Sequence, residues 1–175
     1  MAQLVALLRG VNVGGINIKM ADLKRVFEDL GCSDVRTVLA SGNVVFSTDT
    51  RDRSALKRRI EAALSAAFGY EAWVILVPRA DLKHVIDGYP FGEEDDTLQP
   101  WVMFLAEPDV LADLLSVQAD LDPAVERLQA GEGVLYWEVQ KGQTVKSLFG
   151  KHSAKPRFKA LTTTRNIRTL RKLLD

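Results

Sequence analysis

The sequence predicts an α+β protein made of two halves that share a similar order of strands and helices. Short apolar runs such as Leu4–Leu8 have the length of buried strands. Longer segments repeat apolar residues at helical spacing, and glycines such as Gly31 and Gly69 follow them, as glycines do at helix ends. The chain has 175 residues, which is enough for two small domains.

The first half, residues 1–79, is predicted to have the order β-α-β-β-α-β. Its elements are a strand at Leu4–Leu8, a helix at 20–30, strands at Val35–Ala40 and Val44–Ser47, a helix at Arg51–Phe68 and a strand at Trp73–Val77. This order is that of the ferredoxin-like split βαβ unit. The two middle strands flank Ser41-Gly42-Asn43, which suits a tight hairpin turn.

The order of elements predicts which segments of the first half meet. The first and second strands run in the same direction, because the first helix returns between them. The loop Val11–Lys19 and the turn at Ser41–Asn43 are therefore expected at the same end of the sheet.

The second half, residues 100–175, repeats the pattern less completely, after a short helix and an acidic linker at 80–99. Its predicted elements are a strand at Trp101–Leu105, a helix at Asp109–Val117, a hairpin of Val125–Leu128 with Val134–Val139, and a helix at Thr144–Gly150. The final strand is expected to be missing or replaced, with a basic last helix beginning at Thr164 or Asn166. Several strands are apolar at successive positions, so both faces of the sheets are expected to be covered.

Charged side chains are distributed unevenly although the formal net charge is zero. Residues 1–79 carry 11 basic and 8 acidic side chains, residues 80–140 carry 2 and 14, and residues 141–175 carry 10 and 1. The near cancellation favours a basic segment that folds over the acidic one within the same molecule. The alternative is that the basic segment binds an anionic partner.

The sequence offers few residues for metal or nucleophilic chemistry. Cys32 is the single cysteine, so no intrachain disulfide and no cysteine-based metal site are expected, and no histidine lies near it in sequence to activate the thiol. His84 and His152 have no partner at a ligand-like spacing. We therefore expect no metal and no cofactor.

The location is expected to be cytoplasmic, without membrane contact. The apolar run Leu4–Leu8 is too short for the core of a signal peptide. No stretch approaches the roughly 18 apolar residues that a membrane span needs.

The segment from Arg9 to Lys19 (RGVNVGGINIK) is the strongest candidate for a binding site. It joins a buried strand to a helix, and Gly14 and Gly15 let the backbone turn and expose N–H groups. Arg9, Lys19 and the helix N-terminus add positive charge, so one interpretation is a cradle for an anion. The other is a tight connection without a ligand. The segment matches neither standard nucleotide-binding motif.

Three further groups of polar residues could contribute to a site. The turn Ser41-Gly42-Asn43 gains interest from its expected position beside the Arg9–Lys19 segment. The run Thr162–Asn166 has more polar side chains than a helix cap needs, and Lys146 lies with Ser147 at another predicted helix start. Helix capping and solvated surface are the structural alternatives. The candidate ligand-binding residues are Arg9, Asn12, Gly14, Gly15, Lys19, Ser41, Asn43, Lys146, Arg165 and Asn166.

These polar motifs also carry a resemblance to a known family. The chain resembles the bacterial family catalogued as domain of unknown function sixteen ninety-seven. The similar segments are Arg9-Gly-Val-Asn-Val-Gly-Gly, Met20-Ala-Asp-Leu, Ser41-Gly-Asn-Val-Val-Phe46 and Thr163-Thr-Arg-Asn166. The resemblance runs from the first strand to the last helix. It implies a two-part α+β fold of ferredoxin-like character and no particular activity.

Three classes of function are open from the sequence. The first is binding of a phosphate-bearing or other anionic ligand, such as a nucleotide or a nucleic-acid segment. The second is an enzyme that uses Lys19 or Lys146 as acid or base and asparagine side chains as oxyanion donors, without a Ser or Cys nucleophile. The third is a protein-interaction module that uses the charged segments. A homodimer is compatible with each of them.

Overall fold

The computed structural model describes residues 1–9, 16–39 and 42–175. Four of the predicted site residues, Asn12, Gly14, Gly15 and Ser41, lie outside the described residues. The chain forms two compact units, the first from Met1–Lys83 with Lys172–Asp175 and the second from His84–Arg171.

Strands and helices alternate along both units. The strands are β1 (Ala2–Leu8), β2 (Ser33–Val38), β3 (Asn43–Thr48), β4 (Val74–Pro78), β5 (Leu98–Leu105), β6 (Glu126–Ala130), β7 (Val134–Gln140) and β8 (Thr162–Asn166). The α-helices are α1 (Met20–Asp29), α2 (Arg53–Phe68), α3 (Arg79–Asp87), α4 (Val110–Leu115), α5 (Leu148–Ser153) and α6 (Ile167–Lys172). Short 3₁₀ turns lie at Gln118–Asp120 and Pro156–Phe158.

The first sheet has the strand order β2-β3-β1-β4, with every neighbouring pair antiparallel. Together with the element order β-α-β-β-α-β, this is the ferredoxin-like arrangement that the sequence predicts. Since β2 and β1 each pair antiparallel with β3, they run in the same direction.

Local sequence explains the two helices on this sheet. In α1, Leu23 and Phe27 are buried one turn apart, and Gly31 follows the helix with a positive φ of 89°. In α2, Asp52 caps the first turn through its side chain, and Gly69 ends the helix in the left-handed conformation. The buried faces of both helices pack against the strands in one apolar core.

The first sheet is buried on both faces. All six residues of β3 are buried. In β1, Leu4, Ala6 and Leu8 lie in the core with α1 and α2. Val5 and Leu7, which alternate with them and so point to the opposite face, are buried as well. The prediction of a sheet covered on both faces is confirmed for this sheet.

The second sheet repeats the topology, with the strand order β6-β7-β5-β8 and antiparallel neighbours throughout. The expected absence of a final strand is wrong, because β8 pairs with β5 from Trp101↔Asn166 to Leu105↔Thr162. Its threonines are β-branched and favour extended backbone, although their hydroxyls also suit a helix start. The last helix begins only at Ile167, and Asn166 Oδ1 accepts a hydrogen bond from the Arg168 N–H at 3.0 Å.

The hairpin turn differs by one residue from the sequence prediction. Asn43 is not a turn residue but the first residue of β3, paired with Val38. The connection between the strands therefore spans residues 39–42, and Leu39 and Gly42 both have positive φ angles.

The last residues of the chain, Lys172–Asp175, lie in the first unit. The sequence pattern predicts them in the second half, residues 100–175. Arg36 Nη2 donates hydrogen bonds to the carbonyl oxygens of Leu173 at 3.2 Å and Asp175 at 3.0 Å. Arg79 donates to the carbonyl of Leu174. These bonds attach the chain terminus to strand β2 and to the start of α3.

Candidate functional site

The end of β1 lies beside the hairpin turn of the first sheet. The backbone N–H of Leu8 donates to the carbonyl oxygen of Gly42 at 2.9 Å, and the N–H of Arg9 donates to the carbonyl of Trp73 at 3.1 Å. The first bond places the end of β1 beside Gly42. Most of the loop Val11–Lys19, which the sequence predicts beside this turn, lies outside the described residues, so the proximity of loop and turn stays a prediction. We call this region, formed by Arg9, Lys19, Leu39 and Gly42, the Arg9 end of the first sheet.

Helix α1 begins at the Arg9 end. Its last residue, Asp29, is separated from the start of β2 by three residues, so the C-terminus of the helix lies near the beginning of that strand. Its N-terminus must then lie near the end of β2, where the hairpin turn follows. Ile18 is buried and Ile16 is partly buried against the core of the first unit, which fixes the segment that leads into the helix.

Two basic side chains of the predicted site belong to this region. Lys19 is exposed and stands at the N-cap of α1, where its side chain makes no capping hydrogen bond. Arg9 is partly buried, and this burial lowers the pKa of its guanidinium. Asn43, in contrast, is fully buried, and its Nδ2 donates to the carbonyl of Val38 at 2.9 Å. That bond favours a structural role for Asn43 in closing the hairpin.

Sequence reasoning missed one polar residue of this region, Tyr70. It follows the left-handed Gly69 and precedes β4, whose first residue pairs with Leu8 at the end of β1. Its hydroxyl oxygen is buried and has no hydrogen-bond partner among the described residues. Burial also raises the pKa of this phenol. The only sequence signal is a tyrosine directly after a glycine that ends a helix.

The other predicted site residues, Lys146, Arg165 and Asn166, belong to the second unit. Lys146 is exposed, one residue before the N-cap Ser147, whose side chain accepts from the Gly150 N–H at 3.0 Å. Helix α5 begins only after Ser147, later than predicted, because Ser147 is extended. Arg165 is buried in β8, where its Nη1 donates to Thr163 Oγ1 at 2.7 Å. Asn166 caps α6, so this residue has the helix-capping role that the sequence left open as an alternative to ligand binding.

Acidic and basic segments pair inside the second unit. Arg157 binds the carboxylate of Asp113 with two hydrogen bonds, of 2.9 and 3.0 Å. Arg171 forms a second two-pronged ion pair, with Glu93, whose pKa is lowered mainly by the hydrogen bond from Arg171. These pairs favour the interpretation that the basic C-terminal segment neutralises acidic residues of its own molecule.

The remaining reactive side chains occupy apolar surroundings. Cys32 is buried in the core of the first unit, and desolvation raises the pKa of its thiol, although Arg59 opposes the effect. A buried thiol with a raised pKa is poorly nucleophilic. Within residues 1–9, 16–39 and 42–175, no three His, Cys, Asp or Glu side chains are grouped to hold a metal ion. No helix in the described part of the chain is long and apolar enough to cross a membrane.

Comparison with solved structures shows the fold. The conserved bacterial protein SP0830 from Streptococcus pneumoniae superposes with a TM-score of 0.79 at 22% sequence identity, and the match covers 98% of this chain and 96% of that one. An unknown protein from Galdieria sulphuraria gives a TM-score of 0.28 at 10% identity over 99% and 87% of the two chains, which is too low to carry an argument. The comparison with curated proteins produced no match.

Comparison with protein families confirms the family that the sequence resembles. The family described as protein of unknown function (DUF1697) matches residues 1–136, which include all of the first sheet and strands β5 and β6 of the second, and end within β7. The chain therefore belongs to the DUF1697 family of proteins of unknown function.

Proposed function

We propose that the protein binds a phosphate-bearing or other anionic ligand at the Arg9 end of the first sheet. A nucleotide and a nucleic-acid segment are the candidate ligands. The observation that carries the proposal is the hydrogen bond between the Leu8 N–H and the Gly42 carbonyl. It joins the end of β1, where Arg9 follows, to the turn between β2 and β3.

The charges at this end suit an anion. Arg9 contributes a guanidinium that is already partly desolvated, and such a group binds phosphate oxygens through directed hydrogen bonds. Lys19 contributes an exposed ammonium group at the start of α1. Asp22 already lies in the first turn of α1 and offsets part of the helix dipole, so the two basic side chains carry the electrostatic argument.

Polar groups that do not carry charge add to the proposal. Asn12, Gly14, Gly15 and Ser41 are proposed ligand contacts from the sequence alone. Lys146, Arg165 and Asn166 stay predictions from the sequence and are not part of this proposal.

The test is thermal melting of the whole chain with three anions: inorganic phosphate, ATP and a short single-stranded oligonucleotide. A ligand present at 100 times its Kd should stabilise the native protein by about 2.7 kcal/mol, which is visible as a rise in Tm. Lys19→Gln and Arg9→Gln should each reduce this rise. Arg58→Gln is the matched control, because Arg58 is an exposed arginine early in α2, which starts after β3 at the opposite end of the sheet.

Salt dependence then separates the two candidate ligands. Binding of a nucleic acid should weaken linearly with log salt and with a steep slope, because several phosphates release counterions. A single nucleotide should give a shallow slope. The proposal fails if none of the three anions raises Tm. It also fails if Lys19→Gln and Arg9→Gln give the same rise in Tm as the Arg58→Gln control.

A further inference from the structure

We propose that a cavity in the second unit binds a small organic cation that carries a primary ammonium group. The cavity has a volume of about 210 Å³. It lies between one face of the second sheet and the segment Tyr89–Asp95, and we call it the Glu138 cavity. It involves none of the residues of the Arg9 end.

Strand register builds the floor of the Glu138 cavity. Pro100 pairs with Glu138, and Glu138 pairs with Arg127, so the three residues lie side by side across β5, β7 and β6. Their sequence neighbours Trp101 and Trp137 point to the opposite face, into the apolar core of the unit. Tyr89 and Phe91 form an aromatic wall with their rings 5.6 Å apart, edge to face.

Glu138 offers an acceptor that the described protein does not satisfy. The residue is only 6% exposed. Its Oε1 accepts a hydrogen bond from Arg127 Nε at 2.9 Å, and Nη2 of the same guanidinium lies 2.8 Å from this oxygen in an ion pair. Its Oε2 accepts none from any described residue. Glu138 is not among the described residues that have a fully enclosed polar side-chain atom without a partner, so Oε2 is reachable by solvent. A carboxylate has about four acceptor positions, and a donor group of a ligand can replace water at this oxygen.

Tyr89 lines the same cavity and contributes a phenol hydroxyl. Its hydroxyl oxygen is buried and has no hydrogen-bond partner among the described residues. A phenol oxygen can accept as well as donate. A primary ammonium group has three N–H donors, so one of them can donate to Glu138 Oε2. Another can donate to the Tyr89 oxygen once the ring turns this enclosed hydroxyl towards the cavity.

The charge around the cavity selects a cation. Four carboxylates line it against two guanidinium groups, those of Arg127 and Arg168. Arg127 is already paired with Glu138 and its guanidinium lies over the Phe91 ring, 4.6 Å from the centroid. An anion would meet a net negative lining, whereas a cation would find a carboxylate oxygen and the exposed Glu94 at the rim. The small volume favours an aliphatic amine over a larger ligand.

The test is isothermal titration of the whole chain with 1,4-diaminobutane, with 1,4-butanediol as a neutral ligand of the same length. The diamine should bind, and the diol should give no heat of binding. Glu138→Gln keeps the shape and removes the charge, so it should weaken diamine binding by at least about tenfold. Arg168→Gln removes a positive charge that repels the ammonium group, so it should strengthen binding of the diamine.

Two further variants complete the design. Glu132→Gln makes the same charge change in the β6–β7 turn, at the other end of strand β7, and should leave the affinity unchanged. Tyr89→Phe removes only an unpartnered hydroxyl, so it should weaken binding without lowering Tm, and it decides the matter if Glu138→Gln does not fold. The proposal is overturned if the diamine does not bind, or if the diol binds as tightly as the diamine. It is also overturned if Glu138→Gln or Tyr89→Phe binds the diamine as tightly as the unmodified protein does.

Discussion

Single buried polar residues determine much of what the two sheets can do. Glu126 is 4% exposed and serves the structure, because its two oxygens accept from Trp137 Nε1 at 3.0 Å and from the Phe149 N–H at 3.2 Å. Glu138 is buried to a similar degree but has one oxygen without a partner among the described residues. Burial alone therefore does not separate a structural carboxylate from a candidate binding residue, and the hydrogen bonds of each oxygen have to be counted as well.

Glu126→Gln should destabilise the protein by about 1–3 kcal/mol, because the new amide NH₂ group faces a donor where the carboxylate accepted one. Urea unfolding followed by tryptophan fluorescence measures the effect, and Trp137 itself reports on the site. Glu132→Gln makes the same change at an exposed turn and should stay within about 0.5 kcal/mol of the unmodified protein. Equal midpoints for the two variants would contradict the role given to Glu126.

At the scale of elements, the strand order of the first sheet was predictable, because the spacing of its turns and helices is compatible with one arrangement of strands. The alternation of two strands with a helix fixed the direction of β1 and β2, and hence the position of the hairpin beside Arg9. Strand β8 was not predictable from its own residues, because threonine suits two structures. Its hydroxyl favours a helix cap, and its β-branched side chain favours a strand. The Glu138 cavity was not predictable either, since it depends on the register of three strands and on a segment that precedes them.

Gly150 lies inside helix α5, and its replacement by alanine is expected to lower the stability of the protein, the opposite of the usual effect in a helix. An alanine in place of a helical glycine ordinarily stabilises by about 1 kcal/mol. Here an added Cβ would lie 2.0 Å from the carbonyl oxygen of Thr144, a backbone atom that cannot move away cheaply. Gly150→Ala should therefore destabilise by about 3 kcal/mol or more in urea unfolding.

Gly133→Ala is the matched comparison for Gly150→Ala. Gly133 has a φ of 70° and open space around the position of a Cβ, so only the left-handed conformation penalises alanine. Its cost should be about 1–2 kcal/mol. A Gly150→Ala protein as stable as the Gly133→Ala protein would show that the contact with Thr144 is not as close as described.

At the scale of the whole molecule, the segregated charges have a structural explanation inside the second unit. Arg157 and Arg171 come from the basic segment, and Asp113 and Glu93 come from the acidic one. The sequence favoured this interpretation because the opposite charges nearly cancel. It could not identify the partners, since Glu93 and Arg171 are far apart in the chain.

Arg171→Gln tests this explanation through the pH dependence of stability. Arg171 lowers the pKa of Glu93 below its usual 4.5, so the pair stabilises the protein above that pH. The contribution is lost as the pH falls through the lowered pKa. Arg171→Gln should therefore lower the urea midpoint at pH 7, and the difference from the unmodified protein should shrink towards pH 3. Lys172→Gln, an equal charge change at the next residue, should show no such convergence.

The proposed anion site is tested most directly by finding which backbone amides change their NMR chemical shift when ATP is added. Two-dimensional ¹H–¹⁵N spectra of the whole chain, titrated with ATP, report on each amide separately. We expect the shifts to concentrate at residues 9–20, 39–43 and 70–73 and to be reduced in Lys19→Gln but not in Arg58→Gln. Shifts confined to other residues, or no shifts at millimolar ATP together with none for an oligonucleotide, would contradict an anion site at the Arg9 end.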